Sequence, residues 1–379
     1  MIGTGEISNP NKLGDAYPER VATAQRGRSR ERLVRMCRSS LDTDALQREA
    51  IEELKRTVGF DRWCWPACDP ETLVPGMGIG DHDYGPVVPR ALELEFGGHD
   101  FATKDGIARR AHPVGSLNVD TSGDLARSPR WDEVLRPVGI GDVAAVACRD
   151  AFGCWGWIEA YRDSSDRPFS EDALELLAEV GPTLGHALRR TTQRPRNPTP
   201  GAPSPTTGIL ILDAELLTVT QNAEVDTWIS MLPAAALFAG WGILPPPIYP
   251  VATLAREGQA RRAHTLLPTD HGVQVRIDAA ALDHGLGQIA VTFRAASLGE
   301  TFDLFCRARG LTPRERRLVM LLVAGLDTAA LTRKMGISRH TVQDHLKSVF
   351  DKVDVHSRRE LLALIHGDLA SEYADDPRD

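Results

Sequence analysis

No run of about 18 apolar residues occurs in the 379-residue chain, so its sequence offers no membrane-spanning helix. The first residues, MIGTGEISNPNKLGDAYPERV, lack the apolar core of a secretory signal, and a cytoplasmic location is expected. Six cysteines are too few for a disulfide scaffold in a chain of this length, so free thiols are expected. No G-x-x-x-x-G-K-[ST] loop is present, which argues against an ATPase-type regulator. Residues 43–190 lack the alternating strand–helix pattern of a phosphoacceptor domain, with its early acidic pocket and late strand-end Lys. No internal repeat is evident.

What is present is ordinary in bulk and uneven in detail. Hydrophobic residues make up 42% and charged residues 25%, which fits a globular protein, and the length favours two or three domains. The net charge is −8. Residues 311–366 nonetheless hold ten Lys/Arg against six Asp/Glu, a net +4, and the tail 367–379 holds five acids against one Arg. A compact basic block in an acidic chain suits contact with a polyanion.

The chain divides as follows. Residues 1–16 are rich in Gly, Asn and Pro and read as disordered. Residues 17–42 read as a basic helix of low amphipathicity, a solvated or interface element rather than a second nucleic-acid contact. Residues 43–190 form a mixed unit: a helix, strand-like runs, a hairpin around the turn in RDAFG, and a closing helix capped by Ser170. Residues 191–207 carry five prolines and read as a stiff linker. Residues 208–297 form a smaller unit: strand, turn, strand, a helix in QNAEVDTWISML, a loop imposed by LPPPIYP, and two or three more strands. Residues 298–310 connect it to an all-helical element at 311–366, and residues 367–379 are an acidic tail. The expected fold class is multidomain α+β: two mixed sheet-and-helix domains, then an all-α four-helix domain.

The last domain is the most informative. Thr312, Pro313 and Glu315 make a capping box with proline at the first helical position. Leu318, Leu321 and Leu322 give an apolar stripe, and Leu331 and Met335 face the core from a short second helix ending at Gly336. Ser338 caps a third helix, in which Val342, Leu346, Val349, Phe350 and Val353 fall on one face. The opposite face collects His340, Asp344, Lys347, Ser348 and Asp351, with Gln343 on the flank. Two helices about a glycine turn, the second with a polar outer face, read as a helix-turn-helix that enters the major groove of double-stranded DNA. Lys347 can donate to guanine, Gln343 can pair with adenine and Asp344 can accept from cytosine. Arg339, Thr341 and Arg358 are placed for phosphates, and His340 for either role.

LTPRE, Gly325, Gly336-Ile337-Ser338, Thr341-Val342, His345, Lys352-Val353, Val355 and Ser357-Arg358 together resemble the LuxR/NarL-type helix-turn-helix domain of bacterial transcription regulators. The resemblance covers about 55 residues and implies a four-helix domain that binds DNA, commonly as a dimer. Three positions depart from it: Thr332 where the family usually has a small residue, Asp354 where it usually has Gly, and Gln343 where many members have Lys.

Upstream, GFDRWCWPACDPETLVPG and the closing hairpin with FSEDALELLAEVG resemble a GAF domain. GILILDAELLTVTQNAEVDTWI and GQIAVTFRA resemble a PAS domain. Both resemblances imply sensory modules that hold a ligand between sheet and helices. Trp63 with Trp65, and Trp155 with Trp157, are spaced to share a sheet face; core packing is their default reading, and the alternative makes the four candidate walls of a small-molecule pocket in the GAF-like unit. Cys64 and Cys68, with Cys148 and Cys154 at the hairpin, raise a rival reading as a GAF-type thiol reductase. A second rival is an adaptor whose helical end docks protein. Asp81, His82 and Asp83 are too close in sequence to converge on one ion. The expectation is thus a non-enzymatic, homodimeric DNA-binding regulator, with no metal, cofactor or membrane partner.

Overall fold

The computed structural model describes residues 16–39, 42–81, 85–192, 205–282 and 287–367. The expected disordered N-terminus, most of the proline-rich linker and nearly all of the acidic tail lie outside them. Two antiparallel sheet-plus-helix units precede a helical C-terminal domain. Among the described residues no helix is long and apolar enough to cross a membrane.

Helix α1 (Ala16–Arg38) buries Ser29, Leu33 and Cys37, a stripe at four-residue spacing. Its arginines meet acids of its neighbours: Arg32 pairs with Glu53 at 2.6 Å and Arg26 with Asp172 at 2.9 Å. Helix α2 (Thr43–Val58) is capped by Asp42, whose carboxylate accepts the amide of Ala45.

The first sheet comprises β1 (Arg62–Cys68), β2 (Pro75–Gly80), β3 (Val114–Ser116), β4 (Ile140–Asp150) and β5 (Gly153–Asp163). Its order is β2-β1-β5-β4-β3. Short helices α3 (Val88–Phe96), α4 (Lys104–Ala108) and α5 (Leu117–Asp120) lie between β2 and β4 in sequence, and α6 (Glu171–Thr192) closes the unit. Ser170 caps α6 through the amide of Ala173. Separate apolar clusters cover the two faces: α1, α2 and α6 pack on one, and α4 and residues 131–135 on the other. That is why β4 is apolar without alternation: both of its faces are buried.

The second sheet comprises β6 (Gly208–Leu212), β7 (Thr218–Gln221), β8 (His264–Pro268), β9 (Gln274–Ala281) and β10 (Ile289–Ala295). Its order, β7-β6-β10-β9-β8, is the same winding as the first. Helices α7 (Ala223–Ser230), α8 (Ala235–Gly240) and α9 (Ile248–Arg256) join β7 to β8. Helix α9 corrects the expected loop at LPPPIYP. The helix starts at Ile248 and takes Pro250 into its first turn, where a missing amide hydrogen leaves no intrahelical bond unmade.

The two units touch directly. In the Asp-Pro-Glu-Thr turn, one Asp69 oxygen accepts the amides of Glu71 and Thr72, while the other accepts the amide of Leu266 on edge strand β8 at 2.9 Å. Arg262 pairs with Asp105 at 2.9 Å, and Arg256 with Glu93 at 2.8 Å. Val74 and Phe96 of the first unit lie in the core of the second.

The expected connector is a helix, α10 (Leu298–Ala308), which begins with a capping box formed by Ser297 and Glu300. Helices α11 (Pro313–Val323), α12 (Thr328–Met335), α13 (Arg339–Val353) and α14 (Arg358–Gly367) follow. Their shared core holds Leu318, Val319, Leu331, Val342, Leu346 and Val349, and includes Cys306 from α10.

Candidate nucleic-acid interface

Three local caps set the geometry of the C-terminal domain. Thr312 accepts the amide of Glu315, and Glu315 accepts the amide and hydroxyl of Thr312 at 2.7 and 2.9 Å. Asp327 caps α12 through Ala330 at 2.7 Å, and Ser338 caps α13 through Thr341 at 3.1 Å. Between the last two helices Gly336 adopts the left-handed conformation (φ 64°) that the turn requires.

The Glu315 carboxylate does more than cap. It also receives the Ser348 hydroxyl at 2.7 Å and the Lys352 ammonium at 2.6 Å, tying α11 to α13. Burial works to raise its pKa, but hydrogen bonds from Lys352, Ser348 and Thr312 outweigh burial and lower it to about 2. Ser348 therefore leaves the outer face on which its helical position put it: it is half-buried and turned toward α11.

With α13 held in this way, Arg339, His340, Gln343, Asp344 and Lys347 are all exposed on its free side. His340 and Asp344 approach each other across one turn at 3.7 Å. A shallow groove beside them is lined by Asp344, Lys347, Ser348, Asp351 and Lys352. Thr341 is half-buried, its hydroxyl 2.9 Å from that of Ser338. Arg358 is also half-buried and donates to the Thr328 hydroxyl at 2.9 Å, so one of its nitrogens is engaged within the domain. The link from Glu315 to Lys352 was not visible in sequence, because the two residues are 37 positions apart and only the local Thr-x-x-Glu spacing signals a cap.

The four tryptophans do not share one cavity. Cys148 pairs with Gly156 but Arg149 pairs with Cys154, so Trp155 is the extra residue of a β-bulge. The bulge reverses side-chain parity. Trp155 joins Trp63 and Trp65 on the face covered by α6, whereas Trp157 lies on the opposite face. The expectation that Trp155 and Trp157 share a face is thereby corrected.

The Trp157 face carries a buried ion cluster that sequence inspection missed. The Lys104 ammonium donates to Glu95 at 2.8 Å and to Glu159 at 2.7 Å. Arg130 pairs with Asp100 at 2.7 Å and with Glu95 at 3.2 Å. Tyr161 and Cys64 donate to Glu159 at 3.2 and 3.0 Å. Burial works to raise the pKa of Glu159, yet Lys104 and Arg130 hold it at about 2. Burial and the Glu159 charge push the Cys64 thiol well up, which disfavours the thiolate. All six cysteines are free. His82 and Asp83 lie outside the described residues, while Asp81 accepts the Trp63 amide at 2.6 Å. Among the described residues no group of three or more His, Cys, Asp or Glu is placed to hold a metal ion.

Residues 309–365 match the bacterial regulatory proteins of the luxR family. A chain of Aeromonas salmonicida named as an HTH-type transcriptional regulator is 44% identical over 54 residues, covering 14% of this chain and 28% of that one. The transcriptional regulatory protein SgaR of Hyphomicrobium methylovorum is 43% identical over 54 residues, covering 14% and 26%. The chain thus spans about a quarter of the length of these curated relatives. Among solved structures, the bacteriophytochrome RpBphP3 of R. palustris aligns over 70% of this chain and 63% of its own. Its identity is 12% and its TM-score 0.28, a superposition too loose to bear on the fold. The C-terminal domain is accordingly a luxR-family helix-turn-helix domain.

Proposed function

We propose that the chain is a sequence-specific DNA-binding transcription regulator whose two N-terminal units respond to a signal and control how the C-terminal reader is presented. The observation that carries the reading is the free face of α13. Five polar side chains stand exposed there, on a helix-turn-helix that matches a family of regulatory proteins. Gln343, Asp344, Lys347 and His340 read base edges; Arg339, Thr341 and Arg358 meet phosphates. A single domain of net charge +4 binds weakly, so the protein acts as a homodimer on adjacent half-sites.

The N-terminal part of the proposal rests on resemblance and on topology. Both sheets have the winding in which the first strand lies between the second and fifth, and the fourth and third follow outward. The shared winding supports reading 43–190 as GAF-like and 208–297 as PAS-like. A small-molecule ligand in the first unit also belongs to this proposal, but without the four tryptophans as a common wall, since they lie on two faces of the sheet.

The test selects the full chain against a randomised duplex pool at fixed salt, then titrates the enriched site. Affinity should fall steeply with salt, and Lys347→Ala should cost roughly 1–3 kcal/mol and relax preference at one base pair. Absence of salt-sensitive duplex binding, with or without small-molecule additives, would overturn the proposal in favour of protein docking.

A further inference from the structure

Among the described residues, helix α10 enters the cores of both the first unit and the reader. Ala308 is buried in the first unit's cluster beneath α6, with Leu304 packed against it. Cys306, Phe302 and Phe305 belong to the reader's core. At its N-terminus, Glu300 receives Arg294 at 2.7 Å and Arg276 at 3.0 Å from the second sheet. The reader, carried by α10, is therefore held at two places: at Glu300 by the second sheet, and at residues 308–310 by the first unit.

That end is gripped by a small set of side chains from the first unit. The Arg189 guanidinium of α6 donates to the Ala308 carbonyl at 2.8 Å and to Asp150 at 2.5 Å. It stacks 4.7 Å over the ring of Phe152 at the hairpin tip. Asp150 is oriented in turn by the indole of Trp155 at 3.0 Å and by the amide of Phe152 at 2.9 Å. Gly310, with φ 66°, runs so close beneath this group that a Cβ there would meet Arg189 at 3.2 Å and Phe152 at 3.3 Å. Arg189 is 6% exposed. None of these contacts covers the free face of α13, where the His340 side chain is 89% exposed.

We infer that Arg189, Asp150 and Phe152 form an intrachain latch that fixes the orientation of the DNA reader relative to the first sensor unit, with Trp155 as the residue that positions it. The inference rests on the reading of 311–366 as a DNA-binding domain. The latch orients the reader without masking it. Asp150 and Phe152 both sit at the end of the β4–β5 hairpin, so movement of the hairpin removes the carboxylate and the ring that hold Arg189 against the Ala308 carbonyl. Trp155 is the extra residue of the bulge in β5 and its indole holds Asp150, the last residue of β4, so a change at this end of the sheet reaches the latch through these two residues.

The experiment uses the full chain and two readouts. Trypsin cleavage after Arg307 and Arg309, which flank the latch, reports its opening under native conditions. Selection against duplexes carrying two half-sites at varied spacing reports how the readers are held. Asp150→Asn/Arg189→Met removes the grip without stranding a buried carboxylate, and Gly310→Ala pries it open from the other side. Both variants should be cleaved at these sites about tenfold faster than wild type, as expected for easier local opening. Both should accept a broader range of spacings while keeping single half-site affinity. Phe152→Ala, which leaves the ion pair intact, should show a smaller change in the same direction and guards against misfolding of the others. Cleavage at the wild-type rate in all three overturns the latch. Faster cleavage with an unchanged spacing preference overturns its role in placing the reader. If no form of the protein binds duplex, the DNA-binding proposal falls, and the cleavage rates alone decide whether the latch exists.

Discussion

The two sheets have the same strand order and opposite surroundings. The first is covered on both faces, and its central strands β4 and β5 bury seven consecutive residues each, 142–148 and 154–160. The second is covered on one face; β10 alternates buried and half-buried residues from Ile289 to Arg294. Its outer side leaves Ile209 and Val219 exposed and carries an ion network of Arg276, Asp278, Arg294 and Glu300. Topology alone therefore does not decide what a strand's sequence looks like. The number of covering layers does: two layers demand a continuous apolar run, one layer demands alternation.

The sharpest way to break this comparison is to remove one cation from each sheet. Lys104 is 1% exposed and bonded to two buried carboxylates in the doubly covered layer. Lys104→Met leaves buried Glu159 without its paired cation, and Glu95 with Arg130 alone, and should cost roughly 3–5 kcal/mol, read as loss of the first unit's unfolding transition or of soluble protein. Arg276→Met on the outer face of the second sheet leaves acids that water can reach, and should cost about 1 kcal/mol or less. Equal losses would mean that the ion cluster is not sealed by its second layer.

The reader provides an intermediate case. Glu315 is buried but lies at a helix terminus, with its pKa lowered from the usual 4.5 to about 2. A carboxylate depressed on folding stabilises the fold fully above the unfolded value and loses that contribution as pH falls through the folded one. The stability difference between wild type and Glu315→Gln, on the order of 3 kcal/mol, should therefore hold above pH 4.5 and shrink as pH falls toward 2. Thermal melts of the reader transition across that window check it. A difference that does not vary with pH would assign the role of Glu315 to shape rather than charge.

The reader was also the most legible part of the sequence. Thr312, Asp327 and Ser338 each cap a helix through an amide three residues on, and such short-range signals survive in a linear reading, although the Asp327 cap itself was not read from it. The apolar face of α13 was legible for the same reason. The first unit was legible as a hairpin between helices, but its side-chain placement was not. One extra residue at Trp155 turned the tryptophan parity over, and Lys104 meets partners from α3 and β5 that no local spacing brings together. The second unit lies between: its strands alternate, but α9 was hidden by a proline that its first turn tolerates. The layer argument predicts a further contrast at alanines. Ala147→Leu, fully buried on the doubly covered sheet, should cost about 1–3 kcal/mol by overpacking. Ala290→Leu, half-buried on the outer face of β10, should stay within about 0.5 kcal/mol. Chemical denaturation of each unit's transition separates them, and a large cost at Ala290 would show that the outer face is covered after all.

A smaller contrast repeats the comparison within one domain, where the same backbone carries two different residues. Helices α12 and α13 both end in the left-handed conformation, at Gly336 (φ 64°, ψ 35°) and at Asp354 (φ 60°, ψ 50°). Both ends close alike: the amides of Gly336 and Ile337 return to the Thr332 carbonyl, as those of Asp354 and Val355 return to Phe350. Glycine meets no Cβ penalty there, whereas an L-residue does, and aspartate is among those that tolerate it best. The departure of Asp354 from the glycine usual in the resembling family is therefore a strained position rather than an altered fold. Asp354→Gly should stabilise the end of α13 by about 0.5–1 kcal/mol, seen as slower amide exchange at residues 349–355 in the full chain. The reverse change, Gly336→Asp, should speed exchange in α12 by a similar factor. Unchanged exchange in Asp354→Gly would show that the aspartate side chain contributes enough locally to offset its own backbone strain.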